Sequence, residues 1–219
     1  MLELEPDTHI FAGLSRVRYN GEPFDLGNGV MLRSAYAHLF AAPMMAFRRA
    51  APGQAHPPPW RAVKGGFAWD IEVEIAVPLG STLPAGFDAE QVARLIATLL
   101  RLSRYAYLMM PVVSDHAFSG AAIKGREPLL RPVEVEGRIV TAGSPAPEAI
   151  RPEDLNWVRS VWPRTAELLK KNRQLADALE ALDACTVNGR TSSALLLAWG
   201  ALEELFAPGS RSEIRFRVA

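Results

Sequence analysis

The 219-residue sequence has a single cysteine, Cys185, and no surplus of charge of either sign. One cysteine cannot close a disulfide within the chain or build a multi-cysteine zinc site, and such usage fits a reducing, cytoplasmic setting. Lysine and arginine together number 24, as do aspartate and glutamate. No whole-molecule field therefore steers the chain toward nucleic acid or an anionic membrane, and any such attraction has to be local. Long apolar runs are also missing: residues 194–200 form the longest, against the roughly 20 residues that a bilayer core demands. The leading Met1-Leu-Glu-Leu-Glu-Pro6 is acidic where a secretory signal is basic. What remains is an ordinary globular composition, 49% apolar and 22% charged, long enough for one large domain or two small ones.

The familiar catalytic signatures are absent as well. Gly27-Asn28-Gly29 lacks the third glycine and the following helix of a dinucleotide loop, no Gly-x-Ser-x-Gly elbow occurs, and no phosphate-cradling glycine loop is present. His9, His38, His56 and His116 show no His-Glu-x-x-His spacing. Neither a bound metal nor a cofactor is expected on these patterns.

Periodicity divides the chain. Asn20-Gly21 and Asn28-Gly29 are turn dipeptides that open a hairpin region, with Val30-Met31-Leu32 as strand. Leu39, Phe40, Met44 and Phe47 fall at helical spacing, so residues 36–47 are expected to form a short helix disturbed by Pro43. Residues 50–60, with Pro57-Pro58-Pro59, read as an exposed loop. Residues 67–77 alternate Ile71, Val73 and Ile75 with Asp70, Glu72 and Glu74, the pattern of a half-buried strand with its acids in solvent. Asp88 and Gln91 form a capping box ahead of an amphipathic helix to Arg104, and residues 107–113 and 131–140 are further strands.

Residues 143–152 have the proline-rich composition of a linker, which puts a boundary near residue 148. The fold expected is α+β: a strand-rich domain over residues 1–147 with one or two packed helices, then an all-helical bundle segment over residues 148–219. Its helices are expected over residues 153–162, 164–185 and 194–206, with Pro163 as a first-turn proline of the second or a kink. Cys185 closes the leucine stripe of the second and reads as a small buried hydrophobe. Ser210 and Glu213 form a capping box with few residues after it, so the sequence reads as a fragment of a longer chain.

The helix with Arg173-Gln-Leu-Ala-Asp-Ala-Leu179, a short polar turn, and then Leu195-Leu-Leu-Ala-Trp-Gly-Ala-Leu-Glu-Glu-Leu-Phe206 resemble the first part of an Apea-like HEPN domain, over residues 153–219 only. The match falls on Ala201-Leu202-Glu203 and on Ser212-Glu213-Ile214. The resemblance implies a dimerising helical bundle. It also implies metal-independent RNA cleavage by an arginine followed, after four to six residues, by a histidine on a later helix. No histidine follows His116, so no catalytic residue is assigned in this chain. The Arg33/His38 and Arg49/His56 spacings satisfy the pattern literally, but with 20 arginines and four histidines chance supplies about one such match.

Between Asp25 and Asp70 there is no acidic residue, while Arg33, Arg48, Arg49, Arg61 and Lys64 are interleaved with Tyr36, Phe47 and Trp60. Cations among aromatics suit single-stranded nucleic acid, which makes Arg33, Arg48, Arg49, Trp60, Arg61 and Lys64 the candidate RNA contacts. A solvated loop with core aromatics gives the same pattern. The last helix is apolar nearly all round, and a homodimer with Trp199, Leu202 and Phe206 at its interface would cover it. Two functional classes fit: an RNA-directed HEPN-type protein, active or inactive, and a non-catalytic protein- or ligand-binding module.

Overall fold

A computed structural model describes residues 8–40, 44–63, 69–80, 82–118, 127–134, 147–187 and 191–206. Ten strands and four helices are found among them. The strands are β1 (His9–Ser15), β2 (Val17–Arg18), β3 (Phe24–Gly27), β4 (Val30–Leu39), β5 (Met44–Ala46), β6 (Trp60–Ala62), β7 (Trp69–Pro78), β8 (Met109–Ser114), β9 (Leu130–Pro132) and β10 (Glu148–Ala149). The helices are α1 (Ala89–Ser103), α2 (Pro152–Lys171), α3 (Arg173–Val187) and α4 (Thr191–Phe206). The chain is α+β, and no described helix is long and apolar enough to cross a membrane.

Eight strands form one antiparallel sheet in the order β6-β5-β4-β7-β1-β8-β9, with β3 also paired to β4. The β3–β4 hairpin turns where the sequence marks it. Gly27, Asn28 and Gly29 all take positive φ, and Asp25 Oδ1 accepts the Gly27 amide at 2.7 Å, which suits residues with little or no side-chain penalty there.

One apolar cluster joins the sheet residues Leu14, Leu26, Leu32, Val73 and Ile75 to α1 and α2. The capping box begins α1 as expected: the Gln91 amide donates to Asp88 Oδ1 at 2.8 Å, and the Asp88 amide to Gln91 Oε1 at 2.9 Å. A second cluster gathers Phe11, Ala37, Leu39, Met45, Ile71, Val112 and Phe118. The core therefore lies on either side of the central strands, and β7 is buried from Ile71 to Val77.

Three expectations change. Residues 36–47 are not a helix: β4 runs to Leu39 and β5 begins at Met44. Leu39, Phe40, Met44 and Phe47 fit a helical stripe in sequence, but the alternation of buried Ala35, Ala37 and Leu39 along β7 decides the structure. Glu72 and Glu74 are not solvated, since Glu74 is fully buried and Glu72 nearly so. The unbroken helix α2 passes through Pro163, and the break falls at Asn172. Leu155, Val158, Trp162 and Ala166 keep one buried face across the proline, and that burial outweighs a lost helix bond of about 3 kcal/mol. Asn172 then caps α3, its Oδ1 accepting the Leu175 amide at 3.1 Å.

The proline-rich segment is pinned to the sheet domain where it is described. β10 pairs in parallel with β2, and the Ile150 amide donates to the Arg18 carbonyl at 2.7 Å. Tyr105 donates to Asp154 Oδ2 at 2.6 Å and accepts from the Arg151 amide at 2.9 Å. Helix α2 thus shares the sheet's core, and the change of periodicity near residue 148 does not coincide with a break in packing. Residues 135–146, which include part of an expected strand and of the linker, and the capping box at Ser210 lie outside the described residues.

Helices α3 and α4 pack chiefly on each other. Buried Arg101 of α1 holds α3 by donating from Nη1 to Asp183 at 2.6 Å, while its other nitrogens reach Glu134 and the Leu108 carbonyl.

Candidate functional site

The site is built where β4 ends. Ser34 pairs with Val73 and Ala37 with Ile71, so β4 advances three positions while β7 advances two. This bulge sets the next pair as His38 opposite Asp70; a regular ladder would set Ala37 there instead. His38 Nδ1 lies 2.7 Å from Asp70 Oδ1, and Tyr36 donates to the same oxygen at 3.2 Å.

The segment between β5 and β6 folds back to complete the group. Its residues 50–59 carry no regular structure, in keeping with the prolines, and the Pro58–Pro59 peptide is cis. Trp60 closes the segment by donating its indole N–H to the His56 carbonyl at 2.9 Å. His56 Nδ1 lies 3.1 Å from the Arg48 carbonyl and 3.5 Å from the Tyr36 hydroxyl. The His38 and His56 rings stack at 4.0 Å with 17° between their planes, and Phe40 stands edge-on to both.

Charge is organised by β7. Glu72 accepts from Arg18 and from Arg49, whose guanidinium also lies 4.4 Å over the Tyr36 ring. Glu74 accepts from Arg33 and from the Phe118 amide. Burial, followed by the neighbouring Asp70 carboxylate, pushes the Tyr36 hydroxyl far above its ordinary value, against the opposing pull of Arg49. Tyr36 therefore stays a neutral donor at any physiological pH.

Of the residues expected to contact RNA, the structure brings Arg49 and Trp60 to this group, and Arg48 by its backbone carbonyl. Trp60 is 51% exposed, and Arg48 and Arg49 are exposed. Arg33 is elsewhere, ion-paired to buried Glu74 and beside Phe11. Arg61 sits on β6 opposite Met45, and Lys64 lies outside the described residues. The literal Arg33/His38 spacing is thus split between Glu74 and Asp70, whereas Arg49 and His56 meet around Tyr36.

Sequence patterns lead to no metal, yet His38, His56 and Asp70 come together: one ligand atom from each lies within 4.8 Å of the others. No local motif could have flagged them, because they belong to β4, a loop and β7. Phe40 carries no signal in the sequence for the same reason, whereas Tyr36 shows there only as one of the aromatics among the basic residues. Only the β4–β7 register, which the bulge shifts, makes neighbours of His38 and Asp70.

At the other end of the chain, Trp199, Leu202 and Phe206 lie exposed on α4 with Leu195 and Leu196, the last 74% exposed. Trp199 donates to Glu203 at 2.9 Å along the helix. Cys185 donates to the Leu182 carbonyl, and burial with the nearby Asp183 charge pushes its thiol up, away from reactive thiolate.

Comparisons with protein-family models, with curated proteins and with solved structures find no match to this chain.

Proposed function

We propose that the chain is an RNA-directed binding protein of HEPN type, in which the β4–β6 face contacts single-stranded RNA and the C-terminal helices dimerise. The observation that carries the reading is the gathering of Tyr36, Phe40, His56 and half-exposed Trp60 with Arg48 and Arg49 at one end of the sheet. Rings beside guanidinium groups can stack unpaired bases, each worth about 1–3 kcal/mol, while cations meet the phosphates. Arg49 is already engaged by Glu72 and Arg33 by Glu74, so few phosphates are neutralised and stacking leads. Binding should then have a shallow salt dependence, with a log–log slope no steeper than about −2.

Anisotropy titrations of a labelled single-stranded RNA test this. Trp60→Ala should weaken binding by about 5- to 100-fold with circular dichroism unchanged, and Arg48→Ala should flatten the salt slope. Equal binding by Trp60→Ala and the parent, or no binding at micromolar concentration, would discard the RNA reading and leave the protein- or ligand-binding module.

The dimer has its own support. An exposed row of Leu195, Leu196, Trp199, Leu202 and Phe206 is more apolar surface than a monomer usually leaves in water. Burying about 300 Å² of it would contribute about 7 kcal/mol before ordering costs. Sedimentation at micromolar concentration should give a dimeric mass that Leu202→Arg halves without unfolding, whereas a monomeric parent rejects the interface.

A further inference from the structure

We propose that His38, His56 and Asp70 bind one divalent ion of the first transition row. Two imidazoles and a carboxylate from three separate segments place their ligand atoms inside a 4.8 Å span. Donors about 2.0–2.2 Å from such an ion stand roughly 3.3 Å apart across a tetrahedral angle. The distances close with atomic shifts of about 1 Å, and because the stacked His38 and His56 planes lie only 17° apart, at least one ring must also turn about its soft terminal torsion to aim both in-plane lone pairs at one ion.

The surroundings hold the rings as liganding histidines are held. An Nδ1–H of His56 donating to the Arg48 carbonyl at 3.1 Å leaves the lone pair on Nε2. A backbone carbonyl on the non-liganding nitrogen is a recurrent partner of metal-bound histidine. The Trp60 indole fixes the His56 carbonyl, and Phe40 stands edge-on against both rings, so the protein confines the donors to this corner before an ion arrives. Between His38 and Asp70 the ion takes the place of the hydrogen-bonding proton. That proton moves to the far ring nitrogen or to solvent, as ligand deprotonation on metal binding requires. Tyr36 remains bonded to the carboxylate from outside.

The donor set selects the class of ion. Two imidazoles disfavour calcium and magnesium, which prefer oxygen, and suit zinc, iron(II), cobalt(II) or nickel(II). Three protein donors leave coordination positions open at the rim of the site, where water or a ligand's oxygen can enter. The inference stands on these three side chains and does not depend on RNA binding.

A tag-free full-length chain, stripped with chelator and dialysed, is titrated with Co²⁺ alone, following its visible d–d absorption, and with Zn²⁺ by calorimetry. One equivalent should bind, with Zn²⁺ displacing Co²⁺, and His56→Ala and Asp70→Asn should each weaken binding at least tenfold. His56 lies on an irregular segment, so His56→Ala keeps the test open should a β4 or β7 variant misfold. His9→Ala, at the start of β1, is the control and should bind as the parent does. Absence of stoichiometric binding, or binding that survives both His56→Ala and Asp70→Asn, overturns the proposal. RNA titrations run in chelator separate the two readings: silence toward metal with RNA bound removes the metal site alone, and the reverse removes the RNA face alone.

Discussion

Replacing Trp162 by alanine should cost the whole protein about 4–6 kcal/mol. Trp162 lies midway along α2, is fully buried, and donates its indole N–H to the Leu26 carbonyl of β3 at 2.8 Å. Truncating a buried tryptophan removes about 3–5 kcal/mol through lost transfer free energy and the cavity left behind. The orphaned Leu26 carbonyl adds about 1 kcal/mol, because it stays buried without a donor. Trp162→Phe keeps most of the volume and forfeits the hydrogen bond, so it should lose about 1–2 kcal/mol and separate the two contributions. A domain of ordinary stability, about 5–15 kcal/mol, would be left marginal by the alanine variant. Urea unfolding monitored by far-ultraviolet circular dichroism gives midpoint and slope. A loss of less than about 1 kcal/mol for Trp162→Ala would show that the indole is not held in the core. An early transition in the variant, with helix melting while the sheet unfolds at its original midpoint, would show that α2 is not part of the sheet's cooperative unit. Either result would mean that a domain boundary near residue 148 separates α2 from the sheet after all.

Other perturbations follow from the same geometry. Arg101→Met leaves the Glu134 and Asp183 carboxylates without their buried cation and should destabilise by about 3–5 kcal/mol in urea, with Arg101→Lys recovering part of it. Burial and the Asp154 hydrogen bond push the Tyr105 hydroxyl up to about 12 from its ordinary 10. Its contribution is therefore complete below pH 10 and lost as the pH rises from 10 to about 12; the stability gap between the parent and Tyr105→Phe should shrink by about 2 kcal/mol over that window, and a constant gap refutes the assignment. Asp88→Ala removes the α1 capping box and should lower stability by about 1 kcal/mol in thermal or urea unfolding, with Asp88→Ser restoring most of it.

The elements legible in the sequence are those whose signals are local. Helix α1 announces itself by Asp88, Gln91 and a leucine stripe, the hairpin by Asn28-Gly29, and β7 by strict alternation. The fate of β7's acids was not legible, because Arg18, Arg33 and Arg49 reach Glu72 and Glu74 from distant segments. Leu39, Phe40, Met44 and Phe47 satisfy a helical template as well as a strand turning into the next strand, and only pairing with β7 distinguishes the two. Pro163 signals a break that α2 does not make, since a proline's penalty can be read from the chain while the burial opposing it cannot. The basic and aromatic residues of the candidate site were visible as a composition. Their division, with Arg33 drawn to Glu74 and Arg49 to Tyr36, depends on tertiary partners.

The β4 bulge lets the site outlast a change in the length of its own strand. Most substitutions in β4 would alter one side chain and leave its neighbours in register. Deleting a single codon at Ala35 or Tyr36 would remove the extra residue and regularise the ladder below Ser34, with Ala37 still opposite Ile71 and His38 still opposite Asp70. The hairpin side of the strand, from Val30 to Ser34, would keep its pairing. The His38–Asp70 pair should therefore persist in related lineages whose β4 is one residue shorter at the bulge, and an alignment that puts the gap beyond Ala37 would hide it.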